Sequence, residues 1–223
     1  METFLVFKVS IRTFAPAKRW IMKETILKKA TEMFLTLGFK SVTMDDIAAS
    51  LGISKKTIYQ HYANKIDLVN ASAIHLYMLL SEGVDKIIAR DLNAIAEMFA
   101  IRDFVLENLN DESASPIYQL NRFFPEISEN LKTIKFRKMH TSMVANLKKG
   151  IKGGLYRPEI NIDFMSRIYF TGLTGIKDND IFPPDIYKVK ETTNEYLEYH
   201  IRGIATDTGL DTLTHLLKNT IKN

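Results

Sequence analysis

Apolar residues recur at helical spacing through most of the chain. The first clear stripe runs from residue 22 to Gly38 and consists of Ile26, Leu27, Ala30, Met33, Phe34 and Leu37. Steps of three and four residues predict an amphipathic helix that the glycine ends. Similar patterns predict a helix from Asn64 to about Arg90, and later helices at about 92–109, 115–122, 126–152, 162–177, 187–205 and 210–220. The sequence therefore predicts an all-α fold.

Two short helices are predicted between residues 43 and 62. Thr43 precedes Asp46 by three residues, which is close to a capping box, and Gly52 ends the helix that Thr43 begins. Ser54 caps the next helix. Hydrophobic staples are predicted at both starts, between Val42 and Ile47 and between Ile53 and Ile58. Two capped helices joined by a tight glycine turn indicate a helix-turn-helix.

The second of these helices separates into two faces when residues are placed 100° apart. With Ile58 towards the core, Tyr62 falls on the same side. The remaining positions are polar or aromatic: Lys56 and Gln60 face outward, Thr57 and Tyr59 border that face, and Lys55 and His61 lie on the flanks. Donors and acceptors of this kind read base edges and phosphates in a major groove.

Charge along the chain is uneven. The 223 residues carry a formal net charge of +4. Residues 1–66 hold 11 Lys and Arg against 5 Asp and Glu, whereas the remainder holds 19 against 21. A basic amino-terminal third favours a polyanionic partner at that end. The chain has no cysteine, which excludes disulfides and thiolate metal sites and is consistent with the cytoplasm, where we expect the protein.

Signals for catalysis, metals and membranes are weak in this sequence. The five histidines are not at ligand spacing, and no HExxH, GxSxG or Gly-rich phosphate loop occurs. No apolar run approaches the roughly 20 residues of a membrane span. We therefore expect no enzyme, no catalytic residues, no metal, no cofactor and no membrane partner.

The segment 43–69, TMDDIAASLGISKKTIYQHYANKIDLV, resembles the DNA-binding region of the TetR family of bacterial transcriptional regulators. The preceding ILKKATEMFLTLGFKSVT is similar to the first helix of that family, and GGLYRPEINIDFMSRIYFTGLTGI is more weakly similar to its penultimate major helix. The resemblance implies DNA contacts by Thr43, Ser54, Lys55, Lys56, Thr57, Tyr59, Gln60, His61 and Lys65. Lys56 departs from the family, because many members have glycine there.

We expect three parts to the chain. Residues 1–21 form an extension of uncertain order, and Met22 is the hypothetical natural start because it stands just before the first strong helical pattern. Residues 22–66 form a three-helix helix-turn-helix DNA-binding domain, and residues 67–223 form a larger helical ligand-binding and dimerisation domain. We expect a small apolar or amphipathic effector in a pocket lined by Phe99, Tyr118, Phe123, Phe124, Phe136, Met139 and Met143.

Wide apolar faces on the helices at 162–177 and 187–205 predict a four-helix homodimer interface. Its candidate residues are Phe164, Ile168, Tyr169, Leu173, Leu197, Ile201 and Ile204. The leading hypothesis is a ligand-responsive repressor that binds a near-palindromic operator as a dimer through the helix at 54–61. The alternatives are a non-specific nucleic-acid-binding module and an all-helical enzyme with an incidental helix-turn-helix.

Overall fold

The computed structural model describes residues 14–108 and 116–220. The chain divides into two compact units, Met1–His75 and Leu76–Asn223. Most of the predicted extension, residues 1–13, lies outside the described residues. Each unit has its own core, and the all-α fold predicted from sequence is confirmed.

The first unit is built from three helices and the start of a fourth. Its elements are α1 Phe14–Leu37, α2 Met44–Leu51, α3 Lys55–Tyr59 and the first part of α4 Lys65–Ile88. The predicted stripe on α1 supplies the core through Ile26, Ala30 and Phe34, all at 0% exposure. Leu37, at the end of that stripe, is instead 60% exposed.

Helix α1 begins eight residues before the Met22 at which the sequence pattern predicts its start. Residues 17–21 contain neither glycine nor proline, so nothing in that stretch ends a helix. The early start places Arg19 and Lys23 on the same helix as the core residues, one turn apart. This position gives them a part in the site described below.

The second unit contains the rest of α4 and six further helices. These are α5 Ala94–Asn108, α6 Pro116–Phe123, α7 Pro125–Lys152, α8 Ile162–Gly175, α9 Val189–Ile204 and α10 Asp207–Thr220. Pro125 begins α7 at a position where a missing N–H costs no helical hydrogen bond. Among the described residues the only β pairing is an isolated bridge between Tyr156 and Ala205. None of the described helices has the length and apolarity needed to cross a membrane.

The core of the second unit lies where α5, α7, α9 and α10 meet. Tyr156, which follows α7, is 1% exposed and fills the space beside Gly150, where any side chain would overlap its ring. Its hydroxyl donates to Asn146 Oδ1 at 3.3 Å, and Asn146 Nδ2 donates to Glu97 at 2.7 Å. A polar network inside this core is therefore hydrogen-bonded throughout.

Three residues predicted for the dimer interface belong to this core instead. Leu197, Ile201 and Ile204 of α9 are 0–1% exposed because α10 and the segment after α7 cover them within the chain. The same apolar stripe that predicted a partner surface is therefore already buried. Tyr169 and Leu173 are half-buried, whereas Phe164 and Ile168 are 52% and 42% exposed.

Candidate nucleic-acid interface

The start of α2 is fixed by a complete capping box. The Thr43 N–H donates to Asp46 Oδ2 at 2.8 Å, and the Asp46 N–H donates to Thr43 Oγ1 at 3.2 Å. Hydrogen bonds from the Thr43 hydroxyl and then from its N–H lower the pKa of Asp46. Val42 and Ile47 are both buried beside this cap, as a hydrophobic staple requires. Thr43 is exposed, but its side chain serves the cap.

The turn between α2 and α3 depends on Gly52. Its φ of 64° lies in the left-handed region, which glycine adopts without steric cost. Ser54 then accepts a hydrogen bond from the Thr57 N–H at 3.1 Å, and the two hydroxyls lie 2.9 Å apart. Ser54 and Thr57 are therefore occupied in starting α3. Helix α3 itself spans only Lys55–Tyr59, and Gln60 and His61 lie in the following turn.

The inner face of α3 is held by two buried side chains. Ile58 is 0% exposed and Tyr62 is 3% exposed. The Tyr62 hydroxyl donates to the Lys23 carbonyl of α1 at 3.3 Å, and burial raises the pKa of Tyr62 to about 12. A helix of five residues is too short to be stable alone, so these contacts determine its orientation.

The outer face of α3, continued into the turn that follows it, carries Lys56, Tyr59 and Gln60, all of them exposed. Tyr59 is 45% exposed, and within the described chain Lys56 has no ion pair. Large exposed aromatic and cationic side chains on a firmly anchored helix can contact another surface without disturbing the core. Their exposure agrees with the helical angles, which place Lys56 and Gln60 outward and Tyr59 at the border of that face.

Lys55, on the flank, differs from Lys56 in having an acidic partner. Its Nζ lies 2.7 Å from Asp45 Oδ2 on α2. A hydrogen bond to Asp45 raises the pKa of Lys55. Since both side chains are exposed, this pair can exchange with other partners, but its charge is partly neutralised.

Lys65, at the start of α4, is directed towards the protein. Its Nζ donates to the Lys40 carbonyl at 2.9 Å, the side chain is half-buried, and burial lowers its pKa. This bond links α4 to the connection between α1 and α2. Two of the three ammonium donors are left for another acceptor.

Two basic residues of α1 lie beside the end of α3, a position that the sequence pattern did not predict. Arg19, Gln60 and His61 line a depression of about 390 Å³, and an Arg19 N–H points at the Gln60 carbonyl from 3.5 Å. Burial, then the charges of Arg19 and Lys23, lower the pKa of His61, so its imidazole is neutral near pH 7. Extending the α1 pattern upstream of Met22 would have revealed Arg19.

The residues predicted for an effector pocket are dispersed in the second unit. Phe99 and Met143 lie in the hydrophobic core, at 3% and 4% exposure. Phe136 packs against Phe170 with ring centroids 5.1 Å apart, and Met139 and Phe124 are half-buried. Phe123 is 39% exposed, and the side chain of Tyr118 lies outside those described. In the described part of the chain, no three potential metal ligands cluster.

Comparison with known proteins identifies the helix-turn-helix region. Residues 26–72 match the profile of bacterial regulatory proteins of the tetR family. YhgD of Bacillus subtilis, an HTH-type transcriptional regulator, is 28% identical over 66% of this chain and 80% of its own length. AlkX of Mycobacterium tuberculosis is 26% identical, over 44% of this chain and about half of its own length (47%). Residues 26–72 therefore form a helix-turn-helix domain of the tetR-family type.

Solved structures extend the likeness to the second unit. A transcriptional regulator from Cytophaga hutchinsonii covers 82% of this chain and 98% of its own, with a TM-score of 0.67 at 18% identity. SmeT, the repressor of a Stenotrophomonas maltophilia multidrug efflux pump, covers 83% and 91%, with a TM-score of 0.64 at 17% identity. At these identities the likeness establishes the fold.

The proteins that this chain resembles are transcriptional regulators with a helix-turn-helix. Its relatives are regulators rather than enzymes, and these matches do not favour the two alternatives considered from sequence. The resemblance to the tetR family expected from sequence is confirmed over residues 26–72.

Proposed function

We propose that this protein is a repressor that binds a near-palindromic DNA operator as a homodimer and leaves it when a small molecule binds. The observation that carries the proposal is the outer face of α3, where Lys56, Tyr59 and Gln60 are exposed around a helix anchored by Ile58 and Tyr62. Such a helix can enter a major groove, with Tyr59 and Gln60 at base edges and Lys56 at a phosphate or guanine.

Residues around this face position the protein on the DNA backbone. Lys55 contacts a phosphate after exchanging Asp45, and Lys65 reaches one with its remaining donors. Thr43, Thr57 and Ser54 contribute through the helix ends that they cap. His61 is neutral near pH 7, so it acts as a hydrogen-bonding group rather than as a cation. Arg19 of α1 adds a further cation beside the end of α3.

Dimerisation is supported by the exposed apolar residues of the second unit. Phe164 and Ile168 stand one turn apart on α8, and Tyr199 of α9 is 75% exposed. Large apolar side chains in such positions mark a protein interface. Two copies joined there would present two α3 helices to half-sites about one helical turn, or a multiple of it, apart.

Release from DNA requires an effector that binds one conformer better than the other. Two solved relatives are complexes with small molecules, SmeT with triclosan and a Saccharomonospora viridis regulator with choline. We propose that the second unit of this chain binds its effector in the same general manner. The bound conformer would hold the two α3 helices at a spacing that does not fit successive grooves.

Selection of bound DNA from a random pool tests the proposal. The expected result is enrichment of one sequence with two inverted half-sites, bound by a dimer. Binding without sequence preference, or a single half-site bound by a monomer, would contradict it. Light scattering at micromolar concentration gives the oligomeric state of the same sample.

A further inference from the structure

The face of α7 that is directed towards the core carries a lysine, Lys135, without an acidic partner among the described residues. Leu131 and Met143 on this face are 3% and 4% exposed. Steps of four residues advance only about 40° around a helix, so Lys135 and Met139 lie on the same face between them. Both are half-buried. Lysine is an unusual residue on a face directed towards a core.

The other half-buried lysines of α7 are paired with acids. Lys138 Nζ lies 2.6 Å from Asp85, and Lys149 Nζ lies 3.1 Å from Glu97 and 3.3 Å from Asp91. Lys135 has no hydrogen bond or ion pair within the described part of the chain. Removing an ammonium from water without a partner carries a large free-energy cost. Ion pairs offset that cost at Lys138 and Lys149, but no ion pair in the same described part offsets it at Lys135.

A second positive charge lies close to Lys135. Lys177 directly follows Ile176, the 6%-exposed C-cap residue of α8, and its charge acts on Lys135. Burial, and after it the charge of Lys177, lower the pKa of Lys135. An anion placed beside the ammonium would oppose both effects. The surroundings of Lys135 therefore have the electrostatic character of an anion site.

Apolar side chains flank this cation on α7. Phe136, the next residue, is half-buried and packs edge-to-face against Phe170 of α8, with ring centroids 5.1 Å apart. Met139 lies one turn further along, and methionine adapts its shape to irregular ligands. An ammonium without an acidic partner, next to aromatic and thioether groups, fits a molecule with one charged end and an apolar body.

We propose that Lys135 binds the acidic group of the effector, which is therefore an amphipathic anion whose apolar part lies along Phe136 and Met139. This inference rests on the proposed function, because it assumes that a small molecule regulates the protein. The sequence predicted a small apolar or amphipathic effector, and this inference adds that the effector carries a negative charge. A lysine ammonium is a compact point charge, so a single acidic group suffices.

Two fluorescent probes test the site on the full-length protein. 8-Anilinonaphthalene-1-sulfonate carries an acidic group, and N-phenyl-1-naphthylamine has the same ring system without it. Lys135→Met should weaken binding of the sulfonate by about tenfold or more, since a hydrogen bond to a charged group is lost. It should leave the affinity for the neutral amine unchanged. Lys135→Arg, which keeps the charge, and Lys148→Met, on the exposed side of α7, should bind both probes like the wild type.

Several results would overturn the proposal: equal sulfonate affinity in wild type and Lys135→Met, equal loss of both probes, or no saturable binding of the sulfonate to the wild type. Melting temperature without probe is a second readout. Lys135→Met should raise it, because an unpaired buried charge disappears, whereas Lys138→Met should lower it or leave it unchanged. A lower melting temperature for Lys135→Met would indicate a structural partner instead. Lys135→Gln repeats the test if the methionine variant does not fold.

Failure here is distinguishable from failure of the proposed function. The selected DNA is bound without any probe, so each variant can be tested for operator affinity separately. Normal operator binding with no charge-dependent probe binding would reject the anion site and leave the DNA-binding proposal standing. Absence of sequence-specific DNA binding would reject the proposed function whatever the probes show.

Discussion

Helices α3 and α7 treat polar side chains in opposite ways. On α3 the buried face is apolar apart from the Tyr62 hydroxyl, and Lys56, Tyr59 and Gln60 lie outside. On α7 polar groups lie inside, where Asn146 is fully hydrogen-bonded and Lys135 is not paired. An outward polar face is accessible to a macromolecular partner, whereas an inward polar group belongs either to a structural network or to a ligand site. An inward polar group with hydrogen-bond partners inside the protein belongs to a structural network, and one without such partners is a candidate ligand site.

The largest expected effect is on stability, and it tests whether only the inner face of α3 contributes to the fold. Ile58→Ala should lower the free energy of unfolding by about 2–5 kcal/mol, because it leaves a cavity in the core of the first unit. The adjacent Tyr59→Ala should change that free energy by less than about 0.5 kcal/mol. Chemical denaturation of both variants measures the difference. Similar losses of unfolding free energy in the two variants would show that the outer face of α3 also contributes to the fold.

The second prediction concerns another inward polar group, His200 of α9. It is 5% exposed, its Nε2 has no hydrogen-bond partner among the described residues, and burial lowers its pKa to about 4. The unfolded chain binds a proton near the ordinary pKa of 6.5, but the folded chain does not. The free energy of unfolding should therefore fall as pH drops from about 6.5 to about 4, by up to about 3 kcal/mol.

The control for this pH dependence is His200→Gln, which cannot titrate. Asp163, whose pKa is lowered mainly by hydrogen bonds from Arg167 and then His140, contributes stability that is lost at lower pH in both proteins. The difference between the two curves therefore isolates His200. Chemical denaturation at several pH values gives the free energy of unfolding of each protein as a function of pH. If this free energy falls equally in wild type and variant from pH 7 to pH 4, burial does not hold the imidazole neutral.

The third prediction tests the satisfied network on α7. Asn146→Ala should cost about 1–3 kcal/mol of stability, since Glu97, Tyr156 and the Ala94 carbonyl each lose a buried partner. The exposed Lys148→Ala on the same helix is the matched control, with an expected change below about 0.5 kcal/mol. Thermal unfolding of the pair measures this. Equal stability of the two variants would mean that the inward polar groups of α7 contribute nothing.

The smallest effect distinguishes the two adjacent lysines of α3. Lys56→Ala should reduce the slope of log affinity against log salt by about one unit, because one phosphate contact is lost. Lys55→Ala should reduce it less, since Asp45 already neutralises part of that charge. Operator binding at several salt concentrations gives both slopes. A larger change for Lys55 would reverse the assignment.

The sequence was most informative where structure is determined over three or four residues. The capping box of Thr43 and Asp46, the turn at Gly52 and the cap at Ser54 are all found where the residue types predicted them. Each depends on local hydrogen bonds or on one residue's backbone freedom. The orientation of Ile58 and Tyr62 followed from helical periodicity for the same reason.

Contacts between distant segments could not be predicted in this way. Periodicity identified the apolar stripe of α9 but not its cover, so Leu197, Ile201 and Ile204 were assigned to a partner. The bond from Lys65 to the Lys40 carbonyl spans 25 residues, and no local pattern signals it. Lys135 was overlooked because one lysine on a long helix has no significance until its neighbours are known.

The central claim is that the outer face of α3 reads DNA while its inner face maintains the fold, and Tyr59→Ala tests it most directly. The measurement is the affinity of wild type and variant for the selected operator and for a scrambled duplex at one salt concentration. The variant should lose about 1–3 kcal/mol on the operator, with scrambled-duplex affinity and stability unchanged. Unchanged operator affinity would contradict the assignment of this face to DNA.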